Sequence, residues 1–285
     1  MIKHWLLTGD THGNVVGRLE KIHMFLPSFK PEETAVIILG DAGLNFWLNK
    51  TDKKNKEKTS AFGYTIYCVR GNHEERPENL PEYHLEFDGN VDNFIYIEDD
   101  YPNIRFFADG VKYNIDGYSV LTIGGAYSVD KWYRLVKAGA TDKLDPNYNN
   151  PKKTGWFPDE LLDADEMKGI LDNIRGKEYD FVFTHTCPLS WEPNDLFLNF
   201  IDQDSVDKSM EAWLDEVKNE ISWKHWCFGH FHADRSERPH VEQYYERYET
   251  LNDVVKRWKE YDETGELAWY HPISPNFHLN NENED

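Results

Sequence analysis

Polar side chains that bind metal ions recur directly after short apolar runs along this chain. They are Asp10, His12, Asp41, Asn72, His185, His230 and His232, and they follow the runs 4–8, 35–39, 64–69, 179–184 and 223–228. If each run is a β-strand, these side chains meet at one edge of a sheet, beyond the strand ends. Their number is then sufficient to hold two divalent cations.

The spacing of these residues suits metal ligation. Asp10 and His12 are two residues apart, as are His230 and His232. On an extended backbone such pairs point the same way, so both members can reach one ion. The glycines that flank the motifs allow the sharp turns needed just past a strand.

The remaining donors complete a mixed oxygen and nitrogen set. The carboxylate of Asp41 can bridge two cations, Asn72 offers a neutral carbonyl oxygen, and His185 adds an imidazole nitrogen. A set without thiolates argues against structural zinc and favours Mn²⁺, with Fe or catalytic Zn²⁺ as alternatives. Two such ions about 3.5–4 Å apart can activate a bridging hydroxide and stabilise in-line displacement at phosphorus.

Composition limits the partners of the chain. Its 285 residues, 39% hydrophobic and 15% aromatic, fit one large α/β or sandwich domain. Its formal charge of −21 argues against strong non-specific binding to nucleic acid or to anionic membranes. A phosphate-bearing substrate would instead be attracted by the bound cations.

Cysteine usage and hydropathy predict a cytoplasmic protein. Cys68, Cys187 and Cys227 are odd in number and lie in or near apolar runs, which favours packing in a reducing compartment. No apolar stretch approaches the about 20 residues that span a bilayer. The first motif lies so close to Met1 that we expect no cleavable signal before it.

Periodicity predicts the elements that carry the motifs. The first third alternates strands with a helix near 15–26, which indicates parallel pairing. Four middle runs predict antiparallel strands or a meander, at 94–97, 104–107, 111–115 and 118–123. Further helices are predicted at 159–174, 205–221 and 250–261, with a loop over 139–157 and a frayed end at 275–285. We expect a single domain, 1–285, with a motif-bearing core of about 1–240 and a C-terminal extension of about 241–285.

In this order the motifs resemble those of the calcineurin-like metallophosphoesterase superfamily, D-x-H, G-D, G-N-H-[ED], H and G-H-x-H. The residues that carry the resemblance are Asp10/His12, Gly40-Asp41, Gly71-Asn72-His73-Glu74, His185 and Gly229-His230-Phe231-His232. The resemblance covers about residues 4–235. It implies an α/β fold, a four-layer α/β/β/α sandwich with mixed sheets and the site at the strand ends.

The resemblance also implies individual roles. One metal would be held by Asp10, His12, Asp41 and His232. The other would be held by Asp41, Asn72, His185 and His230, with Asp41 as the bridge. His73 would be catalytic, contacting the phosphate or protonating the leaving oxygen.

Two departures from the family pattern bear on function. Many related phosphatases have a second Asp that orients the His of G-N-H-E, and here Leu44 occupies that place. We expect Asn45 or another carboxylate to substitute. Protein phosphatases carry Arg where this chain has Phe46, whereas Arg70 before the G-N-H-E motif is typical of that branch.

The substrate-binding candidates are Arg70 and three residues of the segment Gly124–Arg134. Lys131 and Arg134 are candidates to meet a phosphate, and Tyr127 to stack on a ring. An alternative interpretation of the segment is a glycine turn followed by a solvated helix.

The sequence thus predicts a dinuclear-metal phosphoesterase. It would hydrolyse a phosphomonoester or phosphodiester, small or nucleotide-like, by attack of a metal-bridging hydroxide. The alternatives are a serine/threonine protein phosphatase and a non-catalytic metal-binding scaffold of the same fold. The oligomeric state stays open.

Overall fold

The computed structural model describes residues 2–267, without the side chain of Glu237. The strands are β1 His4–Thr8, β2 Thr34–Leu39, β3 Thr65–Val69, β4 Tyr83–Asp88, β5 Asn93–Glu98, β6 Ile104–Phe106, β7 Val111–Ile115, β8 Tyr118–Ile123, β9 Glu178–Thr184, β10 Ser222–Phe228, β11 Arg235–Arg238, β12 Val241–Gln243 and β13 Tyr248–Thr250. The α-helices are α1 Val15–Phe25, α2 Lys50–Ala61, α3 Lys131–Ala138, α4 Pro151–Thr154, α5 Ala164–Ile174, α6 Ser209–Glu220 and α7 Leu251–Thr264.

Two mixed sheets form the centre of the molecule. The first has the order β13-β1-β2-β3-β6-β5-β4, and the second has the order β11-β12-β10-β9-β8-β7. A buried cluster between them joins Leu7 and Ile37 of the first sheet to Phe181 and Phe183 of the second. The predicted α/β sandwich with mixed sheets is confirmed.

Strand alternation builds the outer layers. Successive side chains of a strand point to opposite faces, so Leu6 of β1 faces away from Leu7. Leu6 packs in a second cluster with Leu19 and Ile22 of α1. On the far side, Leu214 of α6 packs with Trp226 of β10. Helices therefore cover both outer faces, and the motif-bearing strands β1, β2, β3, β9 and β10 lie at the centre.

Several elements differ from the sequence predictions. The middle strands do not form one meander: β4–β6 belong to the first sheet and β7–β8 to the second, and β6 and β8 also pair in parallel with β3 and β9. Helix α2 occupies the Lys-rich stretch at 49–60, where sequence analysis assigned no element. The loop over 139–157 contains the short helix α4.

Residues beyond 240 contribute to both sheets. Strand β12 pairs with β10, and β13 pairs with β1. Arg247 and Arg257 form buried ion pairs with Glu242 and Glu249, and these pairs join α7 to the core. The division into a core and an extension stays a prediction, and the predicted frayed end at 275–285 lies outside the described residues.

Cys68, Cys187 and Cys227 are buried and free. Among the described residues, no helix combines the length and the apolar character needed to cross a membrane.

Candidate metal centre

The ends of β1, β2 and β3 meet the ends of β9 and β10 at one edge of the sandwich. Three overlapping groups of ligand atoms lie there, and within each group all atoms are within 4.8 Å of one another. The groups are Asp10 with His12 and His232, His12 with Asp41 and His73, and Asp10 with Asp41 and His185. Asp41 and Asp10 each belong to two groups, so the candidate ligands form one continuous cluster.

Four candidate ligands have a left-handed backbone conformation. The φ angles are 45° at His12, 49° at Asp41, 66° at His230 and 52° at His232. Such angles are uncommon outside glycine and concentrate at functional sites, where the surrounding structure holds them. Here the backbone N–H of His12 donates to the carbonyl of Asp41 at 2.8 Å, which ties two of these residues together.

The first half of the cluster contains a carboxylate and two imidazoles. Asp10 Oδ2 lies 3.4 Å from His232 Nε2 and 3.8 Å from His12 Nε2. The two Nε2 atoms are 2.8 Å apart. Three donor atoms therefore converge on one small volume.

The second half is centred on Asp41 and His185. Asp41 Oδ2 lies 3.6 Å from His185 Nε2, and Asn72 Oδ1 lies 2.8 Å from that same nitrogen. The His230 ring is 5.0 Å from the His185 ring, measured between centroids. Among the described residues, His230 belongs to none of the three tight groups, although it faces the same space.

These donors fit divalent cations. Ligand atoms around one cation lie about 3 to 3.5 Å apart because each bond is about 2.1 Å long, and the separations above, from 2.8 to 3.8 Å, lie within a few tenths of an ångström of that range. Asp10 Oδ2 is also buried without a hydrogen-bond partner, while Oδ1 of the same carboxylate accepts from the His230 N–H at 3.0 Å. A buried carboxylate oxygen without a donor is costly unless a cation faces it.

Glycines allow these side chains to approach the backbone closely. A Cβ on Gly40 would lie 1.9 Å from His185 Nδ1, and one on Gly71 would lie 2.0 Å from Asp41 Oδ1. A Cβ on Gly229 would lie 2.3 Å from Asp10 Oδ1. The glycines of the G-D, G-N-H-E and G-H-x-H motifs are thus required by the packing of the ligands.

A second layer of hydrogen bonds orients the ligands. His185 Nδ1 lies 2.9 Å from the carbonyl oxygen of Leu39, which leaves Nε2 facing Asp41. Asn72 Nδ2 donates to Ser128 Oγ at 2.9 Å, and Ser128 Oγ donates to Glu160 Oε2 at 2.5 Å. Sequence analysis did not single out Ser128 or Glu160; the only signal was that Ser128 lies within the notable segment 124–134.

The charges of the cluster are strongly coupled. Burial alone would raise the pKa of Asp41, but His73 and His185 hold it well below its usual value. Burial opposes protonation of His185, yet the charge of Asp41 raises the pKa of His185 to about 9. Burial and the neighbouring His185 lower the pKa of His230 to about 3. The site favours ionised Asp41, which is the form that binds cations.

His73 lies at the rim of this cluster. Its backbone N–H donates to Asp41 Oδ1 at 2.8 Å, and its Nε2 is 3.9 Å from Asp41 Oδ2. Burial lowers the pKa of His73, although the charge of Asp41 opposes this. Phe46 packs edge-to-face on the ring at 6.2 Å.

No hydrogen bond replaces the missing Asp at Leu44. Within residues 2–267, His73 Nδ1 is buried without a hydrogen-bond partner. The side-chain oxygen of Asn45 instead accepts from the Tyr83 hydroxyl at 3.2 Å. The expectation that Asn45 or a carboxylate orients His73 through a hydrogen bond to Nδ1 is therefore wrong. The His73 ring instead packs beside the rings of His12 and Phe46, with centroids 5.5 and 6.2 Å away.

The structure gives the predicted cationic substrate ligands other partners. Arg70 is buried, with Asp109 Oδ2 at 3.1 Å and the Glu160 carbonyl at 2.9 Å. Arg134 donates to Asp130 at 2.7 Å, and Lys131 lies 4.0 Å above the Trp156 ring. Their role in binding a phosphate stays a prediction.

Comparison with known proteins gives a match over most of the chain. A family model described as calcineurin-like phosphoesterase matches residues 4–234. No curated protein matches the sequence. One crystal structure superposes with a TM-score of 0.44 and 11% identity, covering 89% of this chain and 96% of that chain.

Proposed function

Since the chain belongs to the calcineurin-like phosphoesterase family, we propose that it hydrolyses small phosphoesters at a centre of two divalent cations. One observation carries the proposal. Asp41 Oδ2 lies 3.8 Å from His12 Nδ1 and 3.6 Å from His185 Nε2, so it faces both halves of the ligand cluster. A carboxylate in that position can be shared by two cations.

The proposed ligand sets are those that the family resemblance implies. One set is Asp10, His12, Asp41 and His232, and the other is Asp41, Asn72, His185 and His230. Two divalent cations, Mn²⁺ by preference, would supply Lewis acidity and a water of lowered pKa. The protein's own contribution is to fix the donors and to keep Asp41 ionised.

We propose that His73 protonates the leaving group. Its imidazole lines the cavity beside Asp41 and Asn72. The attacking water gives up a proton as its oxygen bonds to phosphorus, and the imidazolium form of His73, which the charge of Asp41 favours, donates a proton to the ester oxygen as the phosphorus–oxygen bond breaks. The leaving group then departs as a neutral alcohol, and His73 is left as neutral imidazole. The same geometry serves a monoester or a diester, because only the second substituent on phosphorus differs.

Initial rates with added Mn²⁺ on para-nitrophenyl phosphate and on its bis-ester test the proposal. The wild-type protein should hydrolyse at least one of the two esters. The rate of the Asp41→Asn variant on that ester should be lower by at least about a hundredfold. Asp99→Asn, whose carboxylate is 91% exposed, is the matched control. A faster rate on the bis-ester would identify a diesterase, and a faster rate on the monoester a phosphatase.

Other outcomes decide between the alternatives. Bound Mn²⁺ without turnover of either ester would overturn the enzyme proposal in favour of a binding scaffold. A preference for phosphopeptides over the aryl ester would favour a protein phosphatase. The three buried free thiols support, as part of the same proposal, a reducing cytoplasmic setting.

A further inference from the structure

A cavity of about 340 Å³ opens directly beside the cluster of candidate metal ligands. Asp41, Asn72, His73, His230 and His232 form its floor. Its outer wall is apolar and is contributed by Leu196, Phe197, Leu198, Ile201, Val206 and Phe231. The wall therefore stands where the ester group of a substrate would project when its phosphate lies on the metals.

Specific contacts hold this wall in place. Lys208 Nζ forms a 2.7 Å ion pair with Glu192 and lies 4.8 Å above the Phe197 ring. The rings of Phe197 and Phe231 stack with centroids 6.3 Å apart. Phe197 and Phe231 are thus presented as a fixed aromatic surface toward the cavity.

The charge of the lining disfavours a second anionic group. Among the described residues that line the cavity, none is Lys or Arg, whereas Asp130, Glu192 and Glu211 are present. Of the nearby cations, Lys208 forms an ion pair with Glu192 and Arg134 with Asp130, while Lys131 packs over the Trp156 ring. A second phosphate or a carboxylate on the substrate would enter without a partner, at a cost in binding free energy.

We infer that this cavity selects phosphoesters whose ester group is apolar and uncharged, with Phe197 and Ile201 as specificity-determining residues. The inference rests on the proposed function and narrows its substrate class. Water supplies the new oxygen on phosphorus, the phosphorus–ester oxygen bond breaks, and a neutral apolar alcohol leaves. A ring or branched alkyl group would exchange water for contact with the apolar wall, which favours binding.

Two substrates of similar intrinsic reactivity test this inference. Cyclohexylmethyl phosphate and glycerol phosphate are both esters of primary alcohols, so a difference in kcat/KM reports recognition of the ester group. We expect a preference for the cyclohexylmethyl ester of about tenfold or more, mainly in KM. Equal rates, or a preference for glycerol phosphate, would overturn the inference while leaving phosphoesterase activity established.

Variants of the apolar wall distinguish an effect on substrate recognition in the cavity from an effect on the stability of the protein. Phe197→Ala should reduce the preference by about fivefold or more, mainly through a higher KM for the cyclohexylmethyl ester. Phe200→Ala is the matched control, because Phe200 belongs to the same segment, is 81% exposed and does not line the cavity. An unchanged preference in Phe197→Ala would contradict the assignment.

A binding measurement keeps the test independent of turnover. In the Mn²⁺-loaded protein, calorimetry should show cyclohexylmethyl phosphonate binding about tenfold more tightly than methyl phosphonate. If no ester is hydrolysed but this difference is found, the proposed function fails and the apolar site stands. If esters are hydrolysed and the two phosphonates bind equally, the apolar site fails and the proposed function stands.

Discussion

The side-chain amide of Asn72 donates a hydrogen bond to the hydroxyl of Ser128 at 2.9 Å, which directs the amide oxygen toward the metal cluster. That oxygen lies 2.8 Å from His185 Nε2. The Ser128 hydroxyl proton is itself donated to buried Glu160, so the hydroxyl oxygen remains free to accept. The order of donors fixes which end of the Asn72 amide faces the other candidate ligands.

Replacing Ser128 should weaken metal binding. In Ser128→Ala the amide of Asn72 loses its donor contact and can rotate, so Mn²⁺ affinity should fall by about tenfold, as for other outer-layer partners of metal ligands. Calorimetric titration of metal-free protein measures this. Ser60→Ala, which removes a hydroxyl bonded to Asn103 away from the site, should leave the affinity unchanged.

Because Asp10 Oδ2 is buried without a hydrogen-bond partner, replacing Asp10 should change the thermal stability in opposite directions without and with metal. Asp10→Asn keeps an acceptor for the His230 N–H but removes a buried charge whose Oδ2 has no hydrogen-bond donor. Metal-free Asp10→Asn should therefore melt at or above the wild-type temperature, while the stabilisation by added Mn²⁺ should be smaller than in wild type, because one of the two metal positions is lost. Thermal unfolding with and without Mn²⁺ measures both. A variant that melts lower without metal would show that Oδ2 is satisfied some other way.

The glycine before Asn72 should tolerate no side chain. In Gly71→Ala the new Cβ would lie 2.0 Å from Asp41 Oδ1, so Asp41 or the β3 end must move. We expect a loss of stability of about 1–3 kcal/mol and weaker Mn²⁺ binding. Gly89→Ala is the control, since nothing lies within 4 Å of its Cβ. Chemical denaturation measures the free energy of unfolding of both variants. If Gly71→Ala is as stable as Gly89→Ala, the steric argument is refuted.

A buried histidine away from the metal centre predicts a dependence of stability on pH. Burial, with the nearby charge of His240, lowers the pKa of His225 from 6.5 to about 4. The unfolded chain therefore takes up a proton at a higher pH than the folded one. The contribution to stability is present above pH 6.5 and is lost as the pH falls toward 4, by at most about 3 kcal/mol.

His225→Phe should remove this part of the acid sensitivity. The ring of His225 lies 5.0 Å from that of Phe181, so a phenyl group has an apolar neighbour there. The unfolding free energies of variant and wild type, measured from pH 7 to 4, should diverge in favour of the variant as the pH falls. Parallel curves would mean that His225 titrates normally in the folded protein.

The sequence predicted well those elements whose pattern reflects burial on both faces. Strands β1, β2, β9 and β10 are apolar runs that end at polar motifs, and they occur within about one residue of the predicted bounds. The sandwich itself followed from the motif resemblance. What the runs could not reveal was pairing across the chain, because β6 and β8 are joined to β3 and β9 by contacts distant in sequence.

Helix α2 shows why other elements escaped prediction. Its buried positions are Asp52, Lys56 and Thr59, which are polar and give no apolar periodicity. Asp52 accepts from the Leu48 N–H at 2.6 Å, and Lys56 pairs with Glu98 at 2.6 Å. The helix packs through the polar contacts of Asp52 and Lys56, and the partners of these two residues are recognisable only in three dimensions. The same holds for Ser128 and Glu160 behind Asn72.

We propose that Asp41 is shared by two cation positions, and calorimetric titration of metal-free protein with Mn²⁺ tests this most directly. We expect about two equivalents bound by wild type, a loss of affinity at both positions in Asp41→Asn, and a loss at one position in Asp10→Asn. One equivalent in wild type, or two undiminished equivalents in Asp41→Asn, would contradict it.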